Sequence, residues 1–141
     1  MTMEEALVTR LAGATGVSAL LGNGEEGLPS VGWFGRVRTD ALPALALIKV
    51  SPGREWSHSG PDGLDGPRIQ FDCYARTTPE AMALALAVRT EMESAATVSG
   101  IVFHEAQLES ENWIDEGEQD GGSPLFRISQ DYTFYHEEIA P

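Results

Sequence analysis

Residues 68–92, "RIQFDCYARTTPEAMALALAVRTEM", hold a strand, a turn and a helix in immediate succession. Ile69, Phe71, Cys73 and Ala75 alternate with Arg68, Gln70, Asp72 and Tyr74. That is the period-two pattern of a strand with one face on a core. Thr78-Pro79-Glu80 then supplies an N-cap hydroxyl, a proline at the first helical position and an acid in the first turn. At about 100° per residue, Met82, Leu84, Ala85, Leu86, Val88 and Met92 cover a little over half the helix, and this side is expected to pack on the sheet. Ala83 and Ala87 lie opposite, with Thr90 and Glu91 as polar neighbours. Two readings of that alanine face stand side by side. It lets a second subunit approach closely, or alanine is there because it is the best helix former.

Working outward, Thr2 and Glu5 have capping-box spacing, and Met3, Leu7 and Leu11 recur every four residues along one face of a first helix. "GNGEEGLPSVG" reads as a loop. "WFGRVRT" is a possible first strand and "ALALIKVS", residues 44–51, a better one, with a turn at "DALP" between them. Residues 52–67, "PGREWSHSGPDGLDGP", contain seven Gly or Pro among 16, which predicts a long loop or a loosely paired hairpin tip. Beyond Ser99-Gly100 two or three strands follow. In "LFRISQDYTFYH", Phe126, Ile128, Tyr132 and Phe134 are expected on the core face, with Arg127, Ser129, Asp131 and Thr133 opposite. The element order predicts an α+β fold: one antiparallel or mixed sheet, two main helices on one face and a long hairpin loop, all in a single domain over 1–141.

The 141 residues carry nine Lys/Arg and 22 Asp/Glu, a net charge of −13. The imbalance is concentrated in the second half. Residues 1–70 hold six basic and eight acidic side chains, and residues 71–141 hold three and fourteen. Such a field repels phosphate and argues against tight non-specific DNA binding. A single cysteine, Cys73, allows no internal disulfide, and no stretch has the length of a signal peptide's apolar core or a membrane span. A reducing cytoplasm is the expected site of folding.

The search for chemistry returns little. "GNGEEG" at 22–27 matches GxGxxG, but it follows a helix and carries two glutamates that would repel a pyrophosphate. His58, His104 and His136 are far apart in the chain, and Cys73 has the place of a small core hydrophobe. The acidic turns lack EF-hand spacing. No catalytic residue, cofactor or metal is expected. Arg54, Trp56 and His58 stand apart: a basic, aromatic loop tip is the usual make-up of a contact site, unless the tryptophan folds back on its own domain.

"LPALALIKVSPGRE", the Gly/Pro-rich stretch, "RIQFDCYARTTPEAMALALAVRTEME" and the terminal "RISQDYTFYH" together resemble the small tail-completion, or tail terminator, proteins of long-tailed phages and phage-derived particles. The resemblance runs from about residue 3 to residue 136 and rests on order and spacing. It implies a structural virion protein of α+β fold, without catalytic residues, assembled in the bacterial cytoplasm. It further implies a hexameric ring that caps the tail tube, meets the major tail tube protein and a head-tail connector protein, and lets DNA pass without specific binding. The only site it carries over is the Pro52–Pro67 loop, expected to reach a neighbouring ring or subunit; Arg54, Trp56 and His58 in that loop and Ala83 and Ala87 on the helix are contact candidates from the residues themselves. "GWFGRVRTD" is more aromatic than the family pattern, and "SENWIDEGEQDGGSP" is longer. The other reading of the same residues is a non-catalytic adaptor, a monomer or dimer acting through the 52–67 loop.

Overall fold

The computed structural model describes residues 1–23, 27–34, 41–51, 54–57, 60–119 and 122–139, with the backbone alone over 54–57 and 60–65. The fold is α+β. Three helices, α1 (Met3–Gly13), α2 (Thr15–Ser18) and α3 (Thr78–Met92), accompany ten strands. These are β1 (Val31–Trp33), β2 (Ala44–Ser51), β3 (Arg54–Ser57), β4 (Gly60–Asp65), β5 (Arg68–Ala75), β6 (Ala96–Val98), β7 (Ile101–Phe103), β8 (Gln107–Glu118), β9 (Pro124–Thr133) and β10 (His136–Glu138). They form two five-stranded sheets where one was expected. The larger runs β1-β2-β5-β9-β8 and the smaller β3-β4-β10-β7-β6.

β5 is the centre of the larger sheet, between β2 and β9 and antiparallel to both. Ile69, Phe71, Cys73 and Ala75 are fully buried, as their alternation requires. Phe71 meets Tyr132 of β9 edge to face, ring centroids 5.0 Å apart. On the other face the polar partners are less exposed than alternation suggests: Asp72 and Ser129 are buried beside Ala46. On β9 the core face takes Ile128, Gln130 and Tyr132; at its start Leu125 is buried and Phe126 only half-buried, reversing the expected order.

Of the expected first strand, 33–39, residues 35–39 lie outside the described residues. β1 falls earlier and runs parallel to β2, Val31 opposite Leu45 and Trp33 opposite Leu47. The 52–67 stretch is largely strand: β3 and β4 pair antiparallel, and β4 joins β10 through Asp65 and His136. Its many glycines and prolines hid strands whose partner lies some 70 positions away in the chain. β6 and β7 close on a tight turn at Ser99 (φ 48°) and Gly100 (φ 82°), the left-handed pair that a two-residue hairpin needs.

α1 begins on the expected capping box: Glu5 N–H donates to Thr2 Oγ1 at 3.1 Å. Met3, Ala6, Leu7 and Leu11 enter the same core as the inward face of β5. α3 starts one residue earlier than expected. Thr77, not Thr78, is the N-cap; its hydroxyl accepts from Glu80 N–H at 3.3 Å and donates to the Glu80 carboxylate at 2.8 Å. The Thr-x-x-Glu spacing of a capping box belongs to Thr77 and Glu80.

The far end of α3 is held by Arg10, whose side chain is 2% exposed. Arg10 Nη2 donates to the carbonyls of Glu91 and Ser94, each at 2.6 Å, and Nε to the Glu91 carboxylate at 2.7 Å. The guanidinium lies 5.4 Å from the centroid of the Phe103 ring. One buried cation thus satisfies carbonyls at the helix C-terminus, where a positive charge also suits the dipole. Replacing Arg10 by Met keeps much of the apolar stem and removes these bonds. We expect Arg10→Met to lower stability by about 2–3 kcal/mol, the scale of lost charged hydrogen bonds in a buried setting. Urea unfolding measures it, and a midpoint equal to wild type would show the clamp to be dispensable.

Candidate functional site

α3 buries Ala81, Leu84, Ala85, Val88 and Met92. At about 100° per residue these occupy an arc only about 100° wide, centred near Ala81. Met82 and Leu86 fall outside it. They are 45% and 66% exposed, not packed on the sheet as the sequence pattern suggested. The expected apolar arc was too broad because it counted every large apolar residue as inward. Ala83 is exposed and Ala87 half-buried on the same outward side. The outer surface of α3 is therefore a ridge of Met82, Ala83, Leu86 and Ala87.

A groove runs along each flank of this ridge. One, of about 610 Å³, lies between α3 and β8 and is lined by Met82, Leu86, Arg89, Trp113, Ile128 and Gln130 among others. The other, of about 540 Å³, lies toward α2 and is lined by Gly16, Val17, Ala83, Leu86, Ala87 and Thr90 among others. Glu111 and Trp113 of β8 form one wall of the first groove. These core-side residues are exposed, Trp113 by 56%, although Trp113 sits opposite buried Ile128.

Gln130 forms the polar floor. Its Nε2 donates to Ala85 O at 3.2 Å and to Glu111 Oε1 at 2.9 Å, and its Oε1 accepts from Tyr132 Oη at 3.0 Å. Burial pushes the Tyr132 phenol well above its ordinary pKa, so it stays a neutral donor. These bonds fix α3 over β9 and β8, and with them the groove's width. Period-two reading passed over Gln130, yet a glutamine at a core-facing strand position between Ile128 and Tyr132 is itself a signal of a buried polar network.

The remaining residues singled out in the sequence do not converge. Arg54 and Trp56 lie on β3, in the smaller sheet, and His58 falls outside the described residues. Nothing in the described backbone joins that strand to the α3 ridge. His104 Nε2 lies 3.2 Å from Glu137 on the surface. Cys73 is fully buried; burial raises its thiol pKa far above the ordinary value, and the Asp72 and Glu111 carboxylates push the same way. Among the described residues, no three His, Cys, Asp or Glu side chains gather as a metal set would. The described basic side chains are engaged locally. Arg10, Lys49, Arg68, Arg89 and Arg127 each meet a carboxylate within 3.3 Å, and Arg76 donates to Pro124 O at 3.2 Å. They form no basic face for a nucleic-acid backbone.

The described surface thus offers apolar relief for a macromolecular neighbour. The chain matches the model of the family described as tail completion protein gp17 over residues 5–137, and it belongs to that family. It is a phage tail structural protein, a component of the tail of a virion or phage-like particle. No curated protein matches it significantly. Among solved structures it is similar to a chain of the virion of a native gene transfer agent particle. The identity is 14%, the TM-score 0.59, and the match covers 96% of this chain and 94% of the other. That likeness is one of fold.

Cys73 gives a direct check on the packing. In native protein it is expected to resist an aromatic disulfide reagent at pH 8, with one thiol released per chain in denaturant. Rapid native labelling would contradict the buried position.

Proposed function

We propose that the chain forms a ring of identical subunits that caps the tail tube and joins it to the head connector. The observation that carries this reading is the outward ridge of α3, with Met82 and Leu86 exposed between two grooves. An isolated monomer gains nothing from large apolar side chains held in water beside such grooves, whereas a neighbouring subunit covers them. Head-to-tail contacts that close on themselves make rings. Six subunits is the number implied by the sequence resemblance. The gene transfer agent virion supplies a phage-like particle in which the same fold occurs.

The remaining roles follow from charge and from the smaller sheet. A net charge of −13 suits a passage through which DNA slides, because walls poor in basic side chains release few counterions and hold phosphate weakly. β3 and β4, with Arg54 and Trp56 on β3 and His58 following in the sequence, are the segment proposed to reach the tube protein or the connector. No step of this function requires bond chemistry, and the protein works as a structural element.

Leu86→Glu places a charge on the ridge without touching a buried residue, so the far-UV spectrum and urea midpoint should stay near wild type. Particles made with this variant as the sole copy should fall at least tenfold in number of joined heads and tails. Ala83→Glu and Ala87→Glu should act in the same direction. Normal yields from all three variants would remove α3 from the subunit contact. Alanine at Arg54, Trp56 and His58 together should leave rings intact but unjoined, as electron microscopy of the particles would show; fully joined particles would assign that contact elsewhere.

A further inference from the structure

We infer that Phe34 of one subunit seats in the α3–β8 groove of a second copy, making the contact head-to-tail. This deepens the ring reading above and rests on it. Phe34 is 88% exposed, the most exposed of the described large apolar side chains. Its φ is 72°, a left-handed conformation that bulky residues rarely adopt. It is nonetheless held in place, since its N–H donates to Leu47 O at 2.8 Å. The positive φ also breaks the alternation of β1, so Phe34 is not tied to the face opposite Trp33. An aromatic fixed in water by a strained backbone has the form of an anchor awaiting a pocket.

The pocket cannot be its own. β1 and β8 are the two edges of the larger sheet, four strand spacings or roughly 19 Å apart. They are level, however. Trp33 pairs with Leu47, Leu47 with Phe71, Phe71 with Gln130 and Gln130 with Glu111. Phe34 follows the first residue of that row, and Glu111 and Gln130 line the groove at its other end. A copy brought edge to edge without displacement along the strands therefore presents Phe34 at the height of the groove, as a closed ring without rise requires. The strand directions agree as well. β1 runs parallel to β2, β2 is antiparallel to β5, β5 to β9 and β9 to β8, so β1 of the incoming copy lies antiparallel to β8.

Charge selects the same partner. β8 carries Glu109, Glu111, Asp115, Glu116 and Glu118 and no basic residue. Two β8 edges facing one another would oppose these carboxylates, which disfavours the two-fold arrangement. β1, Val31–Trp33, carries no acidic side chain, and Lys49 on the neighbouring strand is paired with Glu4 at 2.6 Å. An acidic edge with a groove and an uncharged edge with an aromatic make a heterologous pair.

The buried Cys73 thiol leaves engineered cysteines as the reactive ones. Phe34→Cys and Leu86→Cys proteins are mixed at high concentration and treated with a short bismaleimide. The mixture should give a 34–86 dimer, while each variant alone gives none. The doubly substituted chain should give a ladder of multimers. Products joined 34–34 or 86–86, or the absence of a 34–86 product, would overturn the contact. Particle assays of the same variants keep the two proposals separable. A 34–86 product from a protein that does not complete particles removes the tail-joining role and leaves the contact standing. Completed particles without that product do the reverse.

Discussion

The Arg10 clamp on the C-terminus of α3 is the interaction on which the outer surface depends. A buried guanidinium is costly unless it is paired, and here two carbonyls and a carboxylate meet Nη2 and Nε, while Nη1 has no hydrogen-bond partner. With the Thr77 cap at the start of the helix and the Gln130 bond to Ala85 O near its middle, α3 is held at three points. Its rotation is then fixed, and with it the identity of the buried arc. Leu84, Val88 and Met92 contribute on the order of 1.5–3 kcal/mol each by burial. A turn of the helix by about 100° would trade them for Met82 and Leu86, of similar hydrophobicity. That turn would also bring Arg89 inward, so apolar content and polar contacts favour the same orientation. Together they determine what the outside of the molecule looks like.

The two sheets divide the labour differently from the two helices. The larger one supplies the platform under α1 and α3, and its ends are unlike: a short parallel strand at one edge, a long acidic strand at the other. The smaller sheet is assembled from pieces distant in sequence, with β10 between β4 and β7. Because β3 and β4 interrupt the path from β2 to β5, a change in that hairpin also bears on the smaller sheet. Phe103 and Phe134, ring centroids 6.0 Å apart, are both buried and carry the core from one sheet toward the other.

Local period and turn chemistry made much of this legible. β5 is readable because its apolar and polar residues alternate without exception from Arg68 to Ala75, and α1 because its cap and its four-residue spacing agree. The failures share a cause. Which strand lies beside β4, whether β1 runs parallel or antiparallel to β2, and which side of α3 faces inward are decided by residues remote in the chain. Local pattern does not single out Arg10 or Gln130, because their partners lie 81 and 45 positions away. The family resemblance was carried by strand and helix order and is supported by the match over residues 5–137. The alanine face was visible, but its importance lies with Met82 and Leu86 beside it, which the sequence pattern sent to the core. Phe34 carried no signal beyond its aromatic surroundings, since an exposed aromatic and a buried one read alike in a short stretch.

An exposed apolar ridge and a net charge of −13 oppose one another when copies meet, and that opposition is itself useful. In the proposed ring each contact must gather enough apolar area to overcome repulsion between like-charged subunits, most of it on β8 and the chain after Asp72. Over distances beyond roughly 8–10 Å that repulsion is screened at physiological salt, so it acts mainly at close range, where the edges either match or do not. An acidic edge meeting the uncharged β1 edge is relieved of it; an acidic edge meeting another is not. Charge then sets which surfaces join, and the ridge and groove set how firmly. In the proposed ring a subunit would stay apart from its copies until one approaches from the matching side, so that closure would not give way to aggregation.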